Sequence, residues 1–316
     1  MGFSPYLLSV TSRDLTERKR RWADEANSGR QRSQPEPYAA RTEADPQSGI
    51  VALVDQHGQV VDMQPADGVQ GIMALPDGRL LMALHGSIVA MTAGSSAQLF
   101  SSHRWYNDLH SLRLSSRGSV LLASSGTDRI FELDARDGTV RWSWSAQASG
   151  FDTDSFGELR EVPELDHRNL VYDTWLHSTH LNSAISLGHE KVLCTLFHQG
   201  LVIQIDRSSG QWATSLDGLS RPHALRHSPE GILLCDTAAG KVLLGEQGHS
   251  GIAWKPLLSL DTIWLQDCRR TPHGWLAVDG AASRVLHVDE SGIVRRVDQF
   301  DADWYLYETC DAISGQ

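Results

Sequence analysis

A repeat of about forty residues, within which one short phrase recurs, runs along this chain and constrains the fold more than any other feature. An apolar strand runs to an Asp, a turn with Gly follows, and a second strand leaves. The phrase occurs as IVALVDQHGQVVDM (50–63), RIFELDARDGTVRWSW (129–144), LVIQIDRSSGQWATSL (201–216) and RVLHVDESGIVRRVD (284–298). Alternating apolar residues broken by Asp and Gly read as a β-hairpin with a tight turn. Asp55, Asp134, Asp206 and Asp289 are accordingly turn formers, not catalytic carboxylates. A second phrase precedes the first: LPDGRLLMAL (75–84), SSRGSVLLAS (115–124), SPEGILLCDT (228–237) and TPHGWLAVDG (271–280), with turn glycines Gly78, Gly118, Gly231 and Gly274. In SLGHEKVLCTL the matching turn falls near Glu190.

Each repeat therefore holds four strands, a to d, the signature of a β-propeller blade. Five blades are continuous and the sixth is split. PYLLSVTS (5–12) supplies its strand b, IVALVDQHG its c and QVVDMQP its d, while strand a comes from the C-terminal WYLYETCDAISG (304–315). Pairing the chain ends closes the ring and removes open sheet edges. The expected fold is an all-β, six-bladed β-propeller, with residues 1–316 as one domain and two insertions on its top face.

Composition narrows the function classes. A net charge of −11 disfavours polyanion binding, so nucleic acid is not an expected partner. No apolar run approaches the roughly 18 residues of a membrane helix, so no membrane partner is expected. The first residues place their charge after a short apolar stretch, the reverse of an export signal. Cys194, Cys235, Cys268 and Cys310 form no CxxC pair, so a reducing cytoplasm is the expected location. Cys194 and Cys235 occupy the same place in strand b of consecutive blades and read as small core residues. Oligomeric state stays open.

Two segments break the repeat. Residues 13–48 lie between strands b and c of the split blade. Within them DLTERKRRWADEANSG reads as a short helix with Ser12 as N-cap and Gly29 as stop. Residues 146–176 lie between strand d of one blade and strand a of the next. Both kinds of connection fall on the end of the ring where the inner strands begin, so both insertions are expected to lid the channel mouth.

Counting back from each a–b turn to the start of strand a yields a ring of six residues: Gln70, His110, Asn182, His223, Gln266 and Tyr307. His180 precedes Asn182 by two residues, the same-face period of a strand, so both side chains are expected to face the axis. His110, His180 and His223 on three consecutive blades form a candidate ligand set for Zn, Fe, Mn or Cu. Asp108 and Asp267 are candidates to orient the imidazoles, and Gln70 and Gln266 to orient substrate or water. Arg104, Trp105 and Asn107, before His110, are candidate substrate contacts, as are Tyr172 and Trp175 at the end of the second insertion, Trp264 and Tyr307. Glu158 and Glu161 read as solvated charges of the insertion.

HLNSAI (180–185) followed by IQIDRSSG, with RIFELDARDGTVRWSW, resembles six-bladed propellers of the NHL and arylsulfotransferase-like group. The resemblance implies a channel-mouth site and, on the arylsulfotransferase side, a modified His as the transfer intermediate, for which His180 is the match. The residues themselves leave three readings open. The first is a metal-dependent hydrolase, lyase or oxidoreductase acting on a small polar molecule, with His180, Asn182, Gln70 and Gln266 at the chemistry. The second is a metal-free transferase using a channel His. The third is a non-catalytic protein-binding propeller, which predicts an exposed apolar patch at the mouth.

Overall fold

The structure is a computed structural model describing residues 3–20, 23, 49–115, 117–249 and 251–312. Six four-stranded antiparallel sheets form the ring. Numbering blades by the chain order of their inner strands, those strands are Ile72–Ala74, Leu109–Leu114, Leu181–Leu187, Pro222–Ser228, Leu265–Thr271 and Tyr305–Asp311. The sixth blade is the split one. Tyr305–Asp311 pairs antiparallel with Tyr6–Ser12, with Leu7 opposite Cys310 and Val10 opposite Leu306, and Ile50–Val54 and Val60–Pro65 complete the sheet.

The turn aspartates do the job their spacing assigns. Asp55 Oδ1 accepts from the backbone N–H of His57 (2.8 Å) and Gln59 (2.9 Å), and Asp289 Oδ1 from Ser291 (2.9 Å) and Ile293 (3.0 Å). Asp134 and Asp206 cap their turns in the same way. In the third blade the a–b turn glycine is Gly188, at φ +62°, two residues before the position that spacing alone indicates.

Apolar packing lies between blades, because alternate residues of each strand face opposite neighbours. Val120 and Leu122 pack with Met73, Leu81 and Ile88 of the first blade, while Leu121 and Ala123 pack with Ala184, Val192 and Cys194 of the third. Cys235 packs among Leu233, Val242, Cys268 and Ala277 at the next seam but one. Each fully buried Leu contributes about 1.5–3 kcal/mol to these seams. All four cysteines are buried and free, Cys194 and Cys235 as their shared place in strand b predicts.

Charge crosses the channel below its mouth. Arg226 bonds both Asp267 oxygens (2.7 and 2.9 Å) and Glu308 Oε1 (2.7 Å), and Arg113 pairs with the same glutamate. These residues come from inner strands of the second, fourth, fifth and sixth blades, so the network ties the ring across its axis. It separates the mouth from an open basin of about 650 Å³ on the opposite face.

Of the first insertion, residues 15–20 are helical. The cap is Asp14, not Ser12: Asp14 Oδ1 accepts from Glu17 N (2.8 Å), while Ser12 Oγ accepts from Asp14 N (3.1 Å). Gly29 and the polar stretch after it lie outside the described residues. No helix among the described residues is long and apolar enough to cross a membrane.

Candidate functional site

A pocket of about 300 Å³ opens at the channel mouth, where the inner strands begin. Gln70, His110, His223, Gln266 and Tyr307 line it, as the ring register predicts, and His180, Trp175 and Trp264 line it with them. Both insertions reach it, through Arg18 and Lys19 of the first and Thr174 and Trp175 of the second.

Asn182 does not join this wall. Its Oδ1 accepts from Thr195 Oγ1 (2.7 Å), and it borders a small cavity deeper on the axis, of about 10 Å³, with Ser111, Arg113 and Glu308. Asn182 shares its backbone register with Gln70, His110 and His223, which do line the pocket; its own side chain is held on Thr195 instead. Gly68, Asp108, His180 and Arg221 stand at equivalent places, two residues before Gln70, His110, Asn182 and His223, and all four have positive φ, from +47° to +65°. This left-handed kink sends the next residues down the channel. His180 is thus the equivalent of Asp108 and Arg221, one step higher than His110 and His223.

The kink also favours one tautomer at two rings. His110 Nδ1 donates to the Asp108 carbonyl (2.9 Å), and His223 Nδ1 lies against both the Arg221 carbonyl (3.1 Å) and Thr237 Oγ1 (3.0 Å). A carbonyl only accepts, so the His110 ring carries its proton on Nδ1 and keeps a lone pair on Nε2; the Arg221 carbonyl favours the same tautomer at His223, with the Thr237 hydroxyl as a second acceptor. Burial pushes His110 below the ordinary imidazole value and His223 down to about 3. Burial, then the neighbouring His110 and His177, holds His180 well below it. The site is therefore lined by uncharged imidazoles at neutral pH.

His180 is seated from behind. Its Nδ1 lies 2.7 Å from Nδ1 of His177, with the rings stacked 4.9 Å apart. The segment carrying both is held by Asp128, which accepts from Ser178 N (2.8 Å), Thr179 N (3.1 Å) and Thr179 Oγ1 (2.6 Å). Arg160 of the second insertion pairs with Asp128 and donates to the Gly126 carbonyl (2.5 Å).

Further around the wall, Gln70 Nε2 donates to Asp108 Oδ1 (2.6 Å). Gln266 Oε1 accepts from Trp264 Nε1 (2.8 Å) and the Tyr305 hydroxyl (3.1 Å). Arg221, Phe197 and Tyr305 also line the pocket. Arg221 and Phe197 escape the repeat reading, although the period of two that places His180 above Asn182 places Arg221 above His223.

Four expected substrate contacts lie elsewhere. Arg104 pairs with Glu164 (2.6 Å) at the surface. Trp105 is buried, stacked 4.6 Å from His167. Asn107 Nδ2 donates to the carbonyls of His167 (2.6 Å) and Leu170 (2.7 Å), and the Tyr172 hydroxyl bonds His167. Together they bolt the second insertion to the ring. Residues before Asp108 lie upstream of its kink and run beneath the insertion instead of along the channel. Glu158 and Glu161 are exposed.

The metal set read from sequence does not converge. Among the described residues, the one group whose ligand atoms lie within 4.8 Å of one another is Asp108, His177 and His180. His110 and His223 stand a step lower than His180, for the register reason given above. Asp267, a candidate to orient them, is committed to Arg226.

No family model matches the chain, and no curated protein matches it. Solved structures match along nearly its whole length. A protein of unknown function from Bacteroides caccae is 12% identical with a TM-score of 0.63, over 97% of this chain and 98% of that one. A chain of a nidogen/laminin complex is 10% identical with a TM-score of 0.58, over 97% of both. Virginiamycin B lyase from Staphylococcus aureus is 10% identical with a TM-score of 0.50, over 94% of this chain and 89% of that one. At these identities the likeness is one of fold.

Proposed function

We propose that this protein is an enzyme of the hydrolase or lyase type, acting on a small molecule at the channel mouth with neutral imidazoles as its working groups. One observation carries the reading: His110 and His223 spend Nδ1–H on backbone carbonyls and turn Nε2 lone pairs to the same pocket that His180 enters. A positioned neutral imidazole accepts a proton from substrate, an effect of about 10²–10⁴ in rate. Burial alone leaves such a ring a weak base, and a negative charge on bound substrate raises its basicity. His177 behind His180 gives an accepted proton a second nitrogen 2.7 Å away. Trp175, Phe197 and Trp264 keep the reacting bond out of bulk water. The lyase among the proteins of like fold supports a lyase as one of the two reaction types.

The test is a substrate screen over esters, lactones and β-eliminating acids, with His180→Asn and His223→Asn alongside the parent. The expected result is a loss of at least about a hundredfold in turnover for His180→Asn in a folded protein. Turnover unchanged in both variants would overturn the reading.

A second reading has its own observation. Asp108, His177 and His180 offer one oxygen and two nitrogen donors, a set suited to Zn, Mn or Fe. The two Nδ1 atoms at 2.7 Å are closer than two imidazoles on a tetrahedral zinc, which stand roughly 3.4 Å apart. The fit therefore requires the rings to part and Asp108 to release Gln70. A bound ion would serve as a Lewis acid beside the pocket. Elemental analysis after dialysis reads this directly: about one ion per chain, lost in His180→Asn, supports it, and no retained ion removes it.

A further inference from the structure

The Arg221 guanidinium is set into the pocket wall among aromatic rings and has no ion partner there. Its central carbon lies 4.8 Å from the Trp175 ring centroid, 5.3 Å from Phe197 and 6.0 Å from Trp264. It makes no hydrogen bond or ion pair with any described residue. The channel arginines below it behave differently, since Arg113 and Arg226 are each neutralised by Glu308 or Asp267. A half-buried guanidinium without a protein anion keeps its charge-assisted donors for solvent or a ligand.

The local field points the same way. The chain as a whole carries a net charge of −11. Among the described residues the pocket lining carries Lys19 and Arg221 against one carboxylate, Asp108, and the imidazoles are neutral. A cleft of one sign within a body of the other concentrates oppositely charged ligands.

We propose that Arg221 is the anion subsite of the pocket and that its ligand is a small carboxylate with a flat apolar body. Aromatic contacts hold the planar fork in place, and the fork's free N–H edge matches the two oxygens of a carboxylate. The rings of Trp175, Phe197 and Trp264 around the same point supply the surface for the apolar body. The volume of about 300 Å³ sits at the small end for ligand sites, which favours one ring with a short acidic arm. Such an anion, bound beside His180 and His223, is also the charge that would make those buried imidazoles basic. The inference rests on the proposed site but not on its chemistry.

The experiment is equilibrium binding of phenylacetate and indole-3-acetate, of their primary amides and of phenyl phosphate, at millimolar concentration. The proteins are the full chain and its Arg221→Gln, Arg221→Lys and His180→Asn variants, each verified as folded by circular dichroism. The expected result is that the parent binds the acids about ten- to a hundredfold more tightly than the amides. Arg221→Gln removes that preference, Arg221→Lys keeps part of it, and His180→Asn keeps it. A parent that binds no acid, or binds acid and amide equally, overturns the proposal, as does an unchanged preference in Arg221→Gln. Tighter binding of phenyl phosphate than of phenylacetate overturns the carboxylate in favour of a phosphoryl anion. Loss of turnover with retained acid preference in His180→Asn separates the two proposals.

Discussion

The Nδ1 atoms of His177 and His180 face one another across 2.7 Å, so a single proton lies between them and decides what His180 shows the pocket. If His180 donates it, the His180 Nε2 is a lone pair; if His177 donates it, that Nε2 carries N–H. His177→Phe removes the partner and lets the His180 tautomer exchange. Its imidazole 15N resonances are expected to broaden or split in that variant, whereas His177→Asn, which keeps a polar contact, retains one form. Identical His180 spectra in all three proteins would deny His177 a positioning role.

The seat of this pair is Asp128, buried and bonded to Arg160, Ser178 and Thr179. Asp128→Ala strands the Arg160 charge and frees two backbone N–H groups. Breaking a buried pair costs about 3–5 kcal/mol, so the Tm should fall by roughly 10 °C. Thr179→Val, which removes one hydroxyl contact, should cost about 1 kcal/mol. Thermal unfolding of the two variants checks the ranking.

Acid should destabilise the fold through the channel imidazoles. His110, His177, His180 and His223 have folded pKa values pushed below the unfolded value, His223 to about 3. Above about pH 6.5 both states are neutral at these rings and no penalty exists. As pH falls below that value the unfolded state binds protons that the folded state refuses, so stability declines until the folded pKa is reached. Each such ring contributes a slope of about 1.4 kcal/mol per pH unit. Denaturant unfolding between about pH 7 and pH 5 measures it, and His223→Gln should flatten the curve by one ring's share.

Ring closure makes a further prediction. Tyr305–Asp311 is the inner strand of the split blade and pairs with Tyr6–Ser12. A chain ending at residue 304 loses that strand, Glu308 and its bonds to Arg113 and Arg226. It should elute as aggregate in size-exclusion chromatography, whereas the full chain should elute as a folded protein.

The blade repeat was legible because tight turns demand Asp and Gly at fixed places, and those residues survive in every blade that carries the phrase. The split blade followed from the same count. Of the six ring residues that the count places, five line the channel mouth. The left-handed kinks at Asp108, His180 and Arg221 leave no compositional mark, since such backbone normally advertises itself with Gly, as at Gly68. Asn182 stands in the register of His110 and His223, but its side chain turns to Thr195, and Arg221, in SRPHALR, is the wall residue that the count does not reach. Trp105, Asn107 and Tyr172 carry the residue types of a binding wall, and only the packing of the second insertion reveals that they hold it down.

The most direct test of the account is the protonation and tautomer state of His110 and His223, read from long-range 1H–15N imidazole spectra between about pH 7 and pH 5. His223 is expected to stay neutral across that range and His110 to protonate only below the ordinary imidazole value, each with its proton on Nδ1, and the Nε2 resonances of both to shift when phenylacetate fills the pocket. Protonation near pH 6.5, or Nε2–H tautomers, would contradict the account.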